Sequence, residues 1–150
     1  MNVCKDESNL YNSNNLKIAG INFLIENILV SNYVISKKDM FNTIDKIFKL
    51  SKKDNFEIVY VILIFNDLLL KKGDNIINLI EHVTITQINN DKDFINKLIL
   101  LICGVFLIEG KYYDDLSMMN IDYCDISNLI NYKSFNLRNI NQVENKLLNL

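Results

Sequence analysis

Apolar residues recur along this chain at the three-and-four spacing of helices rather than at the two-residue alternation of strands. Residues 16–31 place Ile18, Ile21, Ile25, Ile28 and Leu29 on one side. Ser36 with Asp39 forms a weakened capping box, and the helix it opens carries Met40, Phe41, Ile44, Ile47, Phe48 and Leu50 as one stripe. Lys52 and Lys53 are expected in its last turn, where cations suit the negative end of the helix dipole. Asp54 with Glu57 signals a third start, and the run 56–70 that follows is nearly all apolar. Gly73 is expected to close it, with Asp74 capping a fourth helix that carries Ile76, Ile77, Ile80 and Val83. Asn90 or Asp91 caps a fifth, apolar on almost every face over 94–108 and ended by Gly110 and Lys111. Two short helices, over 121–132 and 137–148, complete the pattern. A helix apolar all round belongs at the centre of a bundle, sheathed by the others.

Residues 56–65 and 83–88 also have the β-branched and aromatic content of strands. A sheet needs more than two strands, and no third strand or tight hairpin turn is evident. The flanking cap signals favour helices. The expectation is therefore an all-α fold of about seven helices around 94–108, a single domain over 16–150 behind a flexible polar leader, 1–15. A chain of 150 residues buries roughly 70% of its unfolded surface and folds without staples. With no proline and four isolated glycines, little punctuates it as turn-rich β architecture requires.

A net charge of −2, spread evenly, gives no field for nucleic acid, and Arg138 is the single arginine. Cys4, Cys103 and Cys124 stand at no metal-like spacing and fit a reducing compartment. The polar N-terminal residues lack the apolar core of a signal peptide, and no tail anchor is read at the other end. The longest apolar stretch, 98–108, falls short of the ~20 residues that cross a bilayer. A soluble, intracellular protein without membrane insertion is expected.

Candidate chemistry is sparse. His82 is alone, with no Cys, Asp or Glu at zinc-ligand spacing. Asp114–Asp115 and Asp122–Asp125 lack the ligand offsets and glycine of a calcium loop. No phosphate loop or nucleophile elbow appears, so neither catalysis nor a cofactor is expected. Aromatic residues point elsewhere. Tyr33, Tyr112, Tyr113 and Tyr132 fall at or near helix ends, where half-exposed tyrosines favour protein interfaces as well as loop packing. Phe41 and Phe48 read first as core and second as partner contacts.

The order of elements resembles the Bcl-2 plan, and within it the poxviral Bcl-2-like intracellular immunomodulators of the vaccinia type. The resemblance rests on Gly73-Asp74-Asn75-Ile76-Ile77-Asn78, on Leu101-Ile102-Cys103-Gly104 running to Glu109-Gly110, on Asp125-Ile126-Ser127-Asn128-Leu129-Ile130, and on Val143-Glu144-Asn145-Lys146-Leu147-Leu148. These stretches are short and apolar, but collinear from about Leu16 onward. The resemblance implies a monomeric or homodimeric inhibitor in the host cell cytoplasm. Its partners would be host signalling proteins of the Toll-like and interleukin-1 receptor pathway towards NF-κB or interferon induction. The other role it implies is apoptosis inhibition by gripping BH3 helices. Cellular family members open the central helix with Asn-Trp-Gly-Arg, whereas 89–94 reads Asn-Asn-Asp-Lys-Asp-Phe here. Only Lys92 or Lys97 could replace that cation, which favours the signalling role. Tyr33, Phe41, Phe48, Lys92, Tyr112 and Tyr113 are the candidate partner contacts.

Overall fold

The computed structural model describes residues 14–28, 36–72, 90–113, 118–131 and 136–149, with the side chains at 28, 72, 90–96 and 131 excepted. Among these residues the chain is all-helical, without a strand. Helix α1 runs from 14 and ends in a π turn, Leu24–Ile28, so it starts two residues before the expected boundary. It is followed by α2 (Lys37–Leu50), α3 (Ile58–Lys72), α4 (Asn90–Tyr113), α5 (Asn120–Asn131) and α6 (Leu137–Leu148). The expected helix opened by Asp74, with His82, and the strand-like 83–88 lie outside the described residues.

Local signals set most boundaries. Ser36 caps α2, its hydroxyl accepting from the Asp39 N–H at 3.1 Å. A reciprocal box between Asp54 and Glu57 closes a 3₁₀ turn, Asn55–Glu57, that leads straight into α3. The strand-like run 56–65 is therefore helical. Asn136 and Asn139 make the same reciprocal box at the start of α6.

Two expectations need correction. Lys52 and Lys53 lie beyond α2, which ends at Leu50 with Ser51 as its C-cap. Lys52 takes the left-handed conformation, φ 56°, which reverses the chain and turns Lys53 inward. Gly110 does not end the central helix; it is buried within it, and the helix continues to Tyr113. Lacking a Cβ costs a helix about 1 kcal/mol, too little to stop one held by packing on all sides.

Every residue from Leu98 to Ile108 is buried, nine of the eleven at 1% exposure or less or with no side chain to expose, and Glu109 is fully enclosed. Helices α2, α3, α5 and α6 wrap this rod, while α1 packs on α2 and α3. The close packing of α4 on α6 depends on Gly104. A Cβ there would stand 2.5 Å from Val143 Cγ1 and 3.1 Å from Leu147 Cδ1. Val143 is β-branched and cannot swing aside within its helix. Gly104→Ala is therefore expected to lower stability by about 1–2 kcal/mol in urea denaturation, although alanine is the better helix former. A gain in stability would show that α6 slides away at no cost.

Charged groups fasten the helices. Lys17 on α1 reaches Asp45 on α2 at 3.0 Å, and Lys49 meets the other oxygen of that carboxylate at 2.9 Å. Burial alone would raise the Asp45 pKa, but the two lysines outweigh it and hold the carboxyl below its ordinary value. Lys53 enters the interior to pair with Glu109, with its amine 5.8 Å from the centre of the Phe106 ring.

Candidate protein-binding surfaces

Helices α4, α5 and α6 meet at a hollow of about 350 Å³ lined by Met118, Met119, Ile121, Leu137 and the polar Asn120 and Asn141. Asp122, in the first turn of α5, accepts from the Met119 N–H at 2.8 Å. That bond fixes the backbone of Met119 while its side chain stands 69% exposed. Ile121 and Leu137 are also exposed. Beneath them Asn120 donates to Asn141 at 2.7 Å and to Glu144 at 3.0 Å, and Glu144 also pairs with Lys111. The hollow is thus an adaptable apolar mouth on a rigid polar frame. Methionine suits such a surface, since an unbranched thioether refits to different partners.

Tyr112 and Tyr113 follow Lys111 on the last turn of α4, 66% and 53% exposed. Tyr113 stacks on Tyr60 of α3, with ring centres 4.7 Å apart and planes 13° from parallel. Past this pair a groove of about 310 Å³ runs between α3, α4 and α6, floored by Leu68, Ile108 and Leu147. Asp67 and Lys71, paired at 3.1 Å, form its charged edge.

Along α3 and the 3₁₀ turn before it an apolar strip faces outward. Phe56, Val59, Tyr60, Leu63 and Leu70 are all exposed, with Asn66 and Asp67 as the polar interruptions. Their spacing repeats every seven residues, which keeps them on one side. The opposite side, Ile58, Val61, Phe65 and Leu68, is in the core.

The candidate contacts fare differently. Tyr112 and Tyr113 are on the surface and come together with Tyr60. Phe48 is not: it is 1% exposed, its ring edge-on to Phe106 at 5.7 Å, so it is core and presents nothing to a partner. Phe41 is half-buried against the same core. Tyr33 and the side chain of Lys92 lie outside the described residues, as do Tyr132 and Asp114–Asp115. The strip on α3 and the exposed Met119 were not anticipated. The signal for the strip was present, since two runs were apolar on nearly all faces and only one helix can be the axis.

Burial, and secondarily the nearby Cys124, pushes the Cys103 thiol far above its ordinary value. Burial and then Asp125 raise that of Cys124, against a lowering contact from Asn128. Both thiols are held in the neutral form, a poor nucleophile. Among the described residues no cluster of His, Cys, Asp and Glu could hold a metal ion, and no helix is long and apolar enough to cross a membrane. No protein-family model, curated protein or solved structure matches the chain.

Proposed function

We propose that this protein is a Bcl-2-like inhibitor of host innate immune signalling that works in the host cell cytoplasm by holding a signalling protein of the Toll-like or interleukin-1 receptor pathway. The observation that carries the reading is the enclosed rod of α4, since the resembled plan is also built around a central apolar helix. A scaffold built around a filled axis leaves its outer surface as the working part. On that surface the hollow around Met119, with the exposed Tyr112 one residue past its lining Lys111, has the composition of a binding site. Exposed aromatic and methionine side chains there supply apolar area, and the framing asparagines and Lys111 supply directional contacts. BH3 capture is less well supported, because Met40, Ile44, Ile47 and Phe48, the apolar face of α2, are committed to the core.

In cells carrying an NF-κB or interferon-promoter reporter, the protein is expected to suppress stimulation through these receptors. The double change Tyr112→Ala with Met119→Asp is expected to relieve suppression while leaving the denaturation midpoint nearly unmoved, since both side chains are exposed. Loss of such anchors weakens binding by about 30-fold or more each. Unchanged signalling across several upstream stimuli, together with tight binding of a BH3 peptide, would overturn the reading.

A further inference from the structure

The hollow around Met119 continues along α5, and the residues there narrow the chemistry of its partner. The inference rests on the hollow being the binding site. Ile121 lines the hollow. Asp125 and Leu129 follow it at intervals of four, so the three share one outward ridge of α5, and all are exposed. Asp122 flanks that ridge beside Ile121, its carboxylate accepting from the Met119 N–H. The other side of the helix, with Tyr123, Cys124, Ile126 and Ser127, is in the core.

Charge is unevenly matched around this mouth. Glu144 beneath it is joined to Lys111. Arg138 does not line the hollow, although Leu137 and Asn141 on either side of it in sequence do. Asp122 and Asp125 have no lysine or arginine partner among the described residues. A neutral apolar partner laid over the mouth would strip water from these carboxylates and give nothing back, and an acidic one would be repelled. A cation one helical turn from an apolar anchor satisfies both parts of the surface, since Ile121 and Asp125 stand about 6 Å apart along the axis of α5. The walls are helices whose backbone groups pair internally, so an extended chain would find no strand edge to bond with, whereas a helix needs none. We propose that the hollow takes a basic amphipathic helix of the partner. One apolar side chain fills the space between Met119, Ile121 and Leu137, and a lysine or arginine one turn away meets Asp125.

Selection from a displayed library of short helical peptides, with the full chain as bait, tests the proposal. The expected binders carry a large apolar residue and a lysine or arginine three or four positions from it. Asp125→Lys is expected to weaken them at least about 10-fold, and a peptide with glutamate in place of its cation is expected to recover the loss. Asp125 is exposed, so the fold stays intact, which an unchanged denaturation midpoint verifies. Asp122 is left in place because its carboxylate also holds the Met119 backbone. Met119→Asp is expected to abolish binding altogether. Binders that are neutral or acidic at the second position, or indifferent to Asp125→Lys, overturn the proposal; if Met119→Asp still abolishes them, the hollow stands as the binding site without it. Binders indifferent to Met119→Asp, or no enrichment from the library, overturn both. The signalling role is judged by the reporter cells and can fail while the helix binds.

Discussion

Lys53→Met and Glu109→Leu, each made singly, are expected to destabilise the fold by about 3–5 kcal/mol, whereas the double change restores most of the loss. The two side chains are 2% and 0% exposed and pair directly. Bringing both charges out of water is costly, and their attraction roughly repays it. Removing one partner leaves the other enclosed without the opposite charge it pairs with directly. After Glu109→Leu, Lys53 keeps Glu57 at 3.9 Å and the face of Phe106. Against a total stability of about 5–15 kcal/mol for a domain of this size, either single change brings the protein close to unfolding. Urea denaturation of the four proteins in the cycle measures the coupling. Single variants within about 1 kcal/mol of the parent would mean that water reaches the pair.

Phe106→Ala is expected to cost about 3–5 kcal/mol, the range for emptying a phenyl site in a packed core. Phe106 is fully buried, its ring meets Phe48 edge-on, and its carbonyl accepts from the Tyr123 hydroxyl at 3.3 Å. Helices α2 and α5 both meet α4 at this residue, so the space cannot collapse without moving one of them. Phe106→Leu is expected to recover more than half the loss. The contrast with Leu63→Ala is the sharper check. Leu63 lies in an equally apolar helix, yet it is 53% exposed, and its truncation is expected to change monomer stability by less than about 0.5 kcal/mol. Equal losses at the two positions would mean that α3 is as enclosed as α4.

That contrast shows where a linear reading stops. Helix α6 was legible to the residue, and α2 at its Ser36 start though not at its end, because periodicity and capping are local. A side chain and a backbone N–H three residues apart meet whatever the rest of the chain does. The buried axis was legible too, since a segment apolar on every side has to be enclosed. The end of α4 was misread at Gly110, where a weak local preference yielded to packing. Lys53 was misread because an ammonium placed by its neighbours looks like a helix-end charge. Its partner, Glu109, is 56 residues away, beyond the reach of any local rule.

The candidate surfaces divide the same way. Tyr112 and Tyr113 could be named in advance because a tyrosine at a helix end is amphipathic wherever that end falls. The strip on α3 could not be assigned a side, for 56–70 offers apolar residues to both. Composition and periodicity thus determined by themselves that this chain is helical and that one helix forms its axis, since hydrogen bonding and burial at that scale are set by residues within a few turns. Which side of α3 is left facing water, and which lysine finds a carboxylate inside, were decided by tertiary structure alone. Each depends on surfaces brought together from distant parts of the chain, and only the packed fold brings them into contact.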